Sequence, residues 1–288
     1  MCDERTDADN ASYLHGKRLT RREFGAVSAG AGLTMLLPRP ANAQSVTESE
    51  IEVETPDGMC DSYFVHPASG AHPGVLIWPD AFGLRPAMRQ MATRLAESGH
   101  SVLVVNQYYR TQKAPIVEGT DFGAARATLM PLMRSLNADT NVTDAEAFVS
   151  FLDSQPSVDK GRKMGTMGYC MGGPITMRTA AAIPDRIGAG ASFHGGGLVT
   201  DGPDSPHLLV EKMTAHYLFA IAENDDQRQP EAKDVLRETF EAAGLPAEIE
   251  VYEGAMHGWC PPDTPVYHEA QAERAWSRLL ALFERALA

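Results

Sequence analysis

Between Lys163 and Thr176 the chain reads Lys-Met-Gly-Thr-Met-Gly-Tyr-Cys-Met-Gly-Gly-Pro-Ile-Thr, a G-x-C-x-G-G sequence centred on Cys170. An alternating run, Lys163 to Met167, leads in and predicts a strand. A small-residue run, Ile175 to Ala182, leads out and predicts a helix. A thiol at a sharp strand-to-helix turn is placed for nucleophilic attack. Such a turn asks for glycine on either side, because side chains at Gly168 and Gly172 would meet the crossing strand and helix. A helix starting at Met171 aims its positive end at the sulfur, which favours thiolate. The competing reading is a buried structural cysteine in a glycine-rich turn. A base and an acid further along the chain decide between the two.

A thiol becomes a strong nucleophile when an imidazole takes its proton. His257 stands in Glu253-Gly-Ala-Met-His257-Gly258-Trp259, directly after the last predicted strand. His194, His207 and His216 are elsewhere, and none follows that strand in a glycine-flanked loop. The imidazole needs a carboxylate to hold one tautomer and to stabilise its cation. Asp225, just past the strand His216–Ala222, fits that role, with its neighbour Asp226 as the alternative. An oxyanion needs two backbone N–H donors. One is that of Met171, after the nucleophile; the other belongs to the turn after Gly74–Trp78, at Ala81.

These side chains need a scaffold that gathers them. Ile51–Thr55 and Met59–His66 alternate across the turn Pro56-Asp57-Gly58 and predict a hairpin. Gly74–Trp78 and Ser101–Val105 are continuous apolar runs, as in strands covered on both faces. Between them Met88, Met91, Ala92 and Leu95 recur at helical spacing, with Gly99 as the stop. Residues 111–123 read as loop, and Ala124–Leu136 and Thr143–Leu152 as helices. Gly188–Phe193, His216–Ala222 and Glu248–Tyr252 predict further strands, with a helix over Pro230–Ala243. The last helix carries Trp276, Leu279, Leu280, Phe283 and Leu287 on one face. Strands alternating with helices predict an α/β fold, a mostly parallel sheet with helices on both faces. Every candidate polar residue follows the carboxyl end of a strand, where open α/β sheets build their sites.

The formal net charge is −13, which disfavours nucleic acid or an anionic membrane as partner. The four cysteines match no zinc or disulfide framework. Residues 1–16 are polar and mixed in charge, followed by Lys17-Arg18-Leu19-Thr20-Arg21-Arg22-Glu23-Phe24, a mildly apolar run Gly25–Leu37, and Ala41-Asn42-Ala43. Basic stretch, apolar run and A-x-A site in that order predict a signal peptide over residues 1–43. The apolar run is shorter than the ~20 residues a spanning helix needs, so no stable membrane insertion is expected after cleavage. Thr20–Phe24 resembles the twin-arginine export signal, which implies the twin-arginine export machinery as a partner and a periplasmic or secreted product. Residues 1–43 carry six basic and five acidic side chains, so the chain beyond them stands at −14. Cys60, Cys170 and Cys260 stay in it; Cys60 and Cys260 could pair in an oxidising compartment.

With these residues placed, residues 44–288 resemble the dienelactone hydrolase family over nearly their whole length. Gly168-Tyr-Cys170-Met-Gly172-Gly173 matches its G-Y-C-x-G-G, and Glu253-x-x-x-His257 with Trp259 matches its histidine loop. Asn224-Asp225, Asp80-Ala-Phe82-Gly83 and Tyr108-x-Arg110 match its acid loop, its E-x-F-G turn and its Y-x-R. The resemblance implies an α/β-hydrolase fold and hydrolysis of a small ester or lactone, as by a carboxymethylenebutenolidase, with neither metal nor organic cofactor. It implies substrate-binding roles for Asp80, Arg110 and Trp259. Two departures stand out. Asp80 replaces a glutamate that holds the resting thiol in the family prototypes, and Pro261 stands where they carry a second carboxylate-binding arginine. A general carboxylesterase or thioesterase of this fold, or an exported binding protein without activity, are the other readings.

Overall fold

The computed structural model describes residues 4–16 and 37–288. Eight strands form one sheet: β1 (Val46–Thr55), β2 (Gly58–Pro67), β3 (Gly74–Trp78), β4 (Ser101–Val105), β5 (Met164–Tyr169), β6 (Ile187–Phe193), β7 (His216–Ala222) and β8 (Ala247–Tyr252). Their order is β1-β2-β4-β3-β5-β6-β7-β8. The β1–β2 hairpin is antiparallel and adds to β4 antiparallel; every pairing from β4 to β8 is parallel. The helices described are α1 (Glu4–Gly16), α2 (Pro86–Glu97), α3 (Phe122–Ser135), α4 (Ala138–Ser154), α5 (Gly172–Ala182), α6 (Glu223–Arg228), α7 (Ala232–Ala242) and α8 (Glu269–Ala286), with a 3-10 turn at Pro206–Lys212.

The pleat sends alternate residues to opposite faces, and each face has its own core. Val75 and Ile77 of β3 join Met88, Ala92 and Leu95 of α2 and Leu279 and Phe283 of α8. Leu76 and Trp78 join Phe148 and Leu152 of α4, Ile175 of α5 and Phe240 of α7. That double coverage explains why β3, β4, β5 and β6 are buried at every position. A third cluster, with Phe82, Tyr108, Ile116, Phe122 and Leu129, caps the carboxyl end of the sheet beside β3. The architecture is the mostly parallel α/β sheet the sequence predicts.

The differences lie at polar, exposed segments. β1 starts at Val46 rather than Ile51, because edge pairing with β2 carries residues that are almost all exposed. Residues 223–228 form the short helix α6 rather than loop. Residues 4–16, read only as a polar stretch, form α1. Arg21, Arg22 and most of the apolar run of the expected leader lie outside the described residues. Ala41, Asn42 and Ala43 are described and form an exposed turn.

Candidate active site

Cys170 follows β5 and precedes α5, with φ at +53°. A non-glycine residue tolerates that left-handed backbone only when its surroundings enforce it. The enforcement is visible in the glycines. A Cβ on Gly168 would lie 2.3 Å from the Gly172 carbonyl oxygen, and one on Gly172 would lie 2.4 Å from that of Trp78. The Cys170 N–H donates to the Phe193 carbonyl at 3.0 Å, and the Cys170 carbonyl accepts from Gly173 at 3.1 Å. The thiol therefore stands over the sheet's carboxyl edge at the start of α5.

His257 is brought to it by the loop after β8. The loop is stitched to α6 at three points. The Gly254 N–H donates to Glu223 Oε2 at 2.6 Å, the Glu223 N–H to the Ala255 carbonyl at 2.9 Å, and the His257 N–H to Asn224 Oδ1 at 2.8 Å. His257 Nδ1 then meets Asp225 Oδ2 at 2.7 Å. Asp226 points elsewhere and pairs with Lys233 at 2.6 Å. Burial alone would lower the His257 pKa. The Asp225 carboxylate and a charged, hydrogen-bonded Cys170 sulfur outweigh it and raise it to about 10. Burial would raise Asp225; the imidazolium beside it holds it below the usual carboxylate range instead. The site thus favours an imidazolium beside the Asp225 carboxylate.

On the opposite side of the sulfur lies the turn after β3. The Ala81 carbonyl accepts from the Tyr108 hydroxyl at 3.1 Å, and the same hydroxyl is 3.0 Å from the Met171 sulfur. Tyr108 thereby tethers both residues read as oxyanion donors. Asp80 folds back on its own turn, accepting from the Phe82 N–H at 3.0 Å. Its two oxygens also receive Arg85 Nη1 and Nη2 at 2.7 and 3.0 Å, and Arg85 reaches on to Asp263. Burial, opposed by Arg85, pushes the Asp80 carboxyl up, and the Cys170 sulfur adds to that push. Asp80 is thus close enough to sense the thiol but is bound on both oxygens by Arg85.

Two expected substrate contacts are engaged by other groups. Arg110 donates to Asp144 with Nη1 and Nη2 at 2.8 Å each and to Asp57 with Nε and Nη2 at 2.9 and 2.6 Å. Asp57 is in the β1–β2 turn, on the far side of β4 from β5, and with Asp144 it already neutralises the guanidinium. Trp259 is fully buried and stacks on Tyr252 with ring centroids 4.8 Å apart, which makes it core rather than pocket wall.

Other residues here carry no site role in the sequence reading. His194 follows β6 with φ at +41°, is 1% exposed, and sets its ring edge-on to that of His257 at 5.0 Å. Burial, with His257 next, holds its pKa well below the ordinary value, so it is neutral. Arg85 carries no signal beyond its sequence nearness to Asp80. A cavity of about 130 Å³ adjoins the acid side of the site, lined by Gly195, Gly196, Gly197, Asp225, Arg228 and Lys233. Cys60, Cys170 and Cys260 are all buried and none is in a disulfide, so the pairing of Cys60 with Cys260 is not formed; burial pushes the Cys60 thiol up to about 12. Among the described residues no three His, Cys, Asp or Glu side chains converge as a metal site.

The family model described as "Dienelactone hydrolase family" matches residues 60–287. A carboxymethylenebutenolidase of Rhodococcus opacus is 29% identical over 229 residues, covering 78% of this chain and 86% of its own. A relative from Methylorubrum extorquens is 27% identical and aligns over 97% of both chains, so its match extends into the N-terminal segment. Among solved structures, a dienelactone hydrolase-like promiscuous phosphotriesterase from metagenomic libraries superposes with a TM-score of 0.70 at 22% identity, over 85% of this chain and all of its own. At that identity the structural likeness establishes the fold.

Proposed function

The chain belongs to the dienelactone hydrolase family and is an ester or lactone hydrolase, and from that premise we propose that Cys170 is its nucleophile. The supporting observation is the joint placement of the three side chains: Cys170 on a left-handed turn, His257 bonded to it, and Asp225 2.7 Å behind His257. The thiolate attacks the substrate carbonyl. The N–H groups of Met171 and Ala81 receive the oxyanion, with Tyr108 fixing both donors' residues. His257 gives its proton to the departing alkoxide. Water, deprotonated by the same imidazole, then opens the thioester and returns the thiolate. For a lactone the alkoxide stays tethered, and the product is a hydroxy acid.

Arg110's commitment to Asp57 and Asp144 favours a second reading for the substrate: a general carboxylesterase or thioesterase range rather than a lactone chosen by its carboxylate. A panel pairing one anionic with one neutral ester of similar size separates the two. The N-terminal segment supports export and removal of residues 1–43, with an exposed Ala41–Ala43 turn open to a peptidase. The nucleophile assignment is tested by substitution. Cys170→Ala is expected to abolish ester turnover, while Cys60→Ala and Cys260→Ala retain it. Full turnover by Cys170→Ala would remove the assignment.

A further inference from the structure

α1 lies on the active site. Its inward residues recur at helical spacing: Thr6 is buried, and Asn10, Tyr13 and Leu14 are partly so. Asn10 Nδ2 donates to the backbone carbonyl of His257 at 3.0 Å. Four residues earlier, the Thr6 hydroxyl accepts from Arg228 Nη1 at 2.7 Å, and Asp9 pairs with Arg228 Nη2 at 2.5 Å. Arg228 is the last residue of α6, three positions past Asp225, and it lines the 130 Å³ cavity beside that carboxylate. Further along, α1 approaches α3, the helix of the cap beside the Ala81 turn. One helix therefore runs from the acid side of the triad, past the catalytic-histidine loop, to the cap over the oxyanion turn. Cys170 itself is 1% exposed.

We propose that α1 is an intramolecular cover of the active-site mouth, anchored by Asp9 on Arg228 and by Asn10 on the His257 loop. The proposal rests on reading Cys170 and His257 as the site. Three features say that the cover is built to leave. An isolated helix of 13 residues is marginal in water, so α1 owes its form to this surface. Its anchors are polar and partly exposed, with the Asp9 side chain at 43%, so releasing it costs little burial. It also lies within residues 1–43, the segment read as a removable leader. The chain beyond Ala43 would then carry an open site, and the precursor a closed one. A covered site would keep the thiol from reacting before export, and oxidation of a thiolate is favoured by exposure.

The test uses the full chain and reads alkylation of Cys170 by iodoacetamide, located by peptide mass, beside kcat/KM on an activated neutral ester. Asp9→Lys sets two cations against each other and should speed labelling roughly tenfold or more, the size of one charge-assisted contact. Asn10→Ala, which changes no charge, should speed it in the same direction. kcat/KM should rise with labelling. Labelling rates within twofold of wild type in both variants would overturn the cover. Faster labelling with no ester turnover in any form would keep the cover and overturn the hydrolytic reading of Cys170.

Discussion

Asp225 and Asp226 are adjacent in sequence and opposite in circumstance. One carboxylate is 2.7 Å from His257 Nδ1, the other is taken by Lys233. Asp225→Asn is expected to lower kcat on the order of 10²–10⁴-fold through loss of tautomer control, and Asp226→Asn to change it little; the reverse ranking, read by steady-state kinetics, would move the role to Asp226. The same pair sets the pH profile. In the proposed mechanism His257 gives the leaving group a proton that is present below its pKa and lost above it. With that pKa raised to about 10, kcat/KM should fall as pH climbs through that region. Asp225 is the strongest partner raising it, so the alkaline limb should move to lower pH in Asp225→Asn. A limb that stays in place would show that another group titrates there. Sequence order located these three side chains because each follows a strand whose end is fixed. It did not announce the pairing of Arg110 with Asp57 and Asp144, since position after β4 gives the rim but not which way a long side chain turns along it. Arg85 was silent for a related reason: nothing in a sequence says that an arginine will be drawn inward by two acids, one of them 178 residues away.

The elements were legible in proportion to their burial. β3 and β4 were read to the residue because both faces are covered and the apolar run has nowhere else to go. β1 began five residues early, α6 is too short and polar for a periodic signal, and α1 has an inward face of Thr6, Asn10 and Tyr13 that no hydrophobic pattern announces. The elbow between β5 and α5 shows the strongest link from sequence to element. Gly172 is there for lack of room, 2.4 Å separating its missing Cβ from the Trp78 oxygen of the neighbouring strand. Since that neighbour is backbone, it can yield only by moving β3. Gly172→Ala should therefore destabilise the fold by ~3 kcal/mol, a Tm drop on the order of 10 °C, and should cost activity even where the protein stays folded. A variant with wild-type Tm and turnover would mean that the elbow is looser than its geometry implies.

For the whole molecule the question is how the proposed export of this acidic hydrolase bears on its proposed nucleophile. The parallel sheet puts every chemical group on one edge, and the N-terminal helix lies across that edge in the same chain. If export follows the paired arginines Arg21 and Arg22, changing both to Lys should trap unprocessed precursor inside the cell, and a normal periplasmic yield on fractionation would refute that route. The central claim, however, concerns one bond. It is tested most directly by mixing the protein with an activated ester, quenching in acid within the first turnovers, and measuring intact and peptide masses. The account predicts an added acyl mass on the peptide that carries Cys170, absent from those carrying Cys60 and Cys260 and absent in Cys170→Ala. Steady ester turnover with no acyl mass on Cys170 at any quench time, or an acyl mass on another residue, would contradict it.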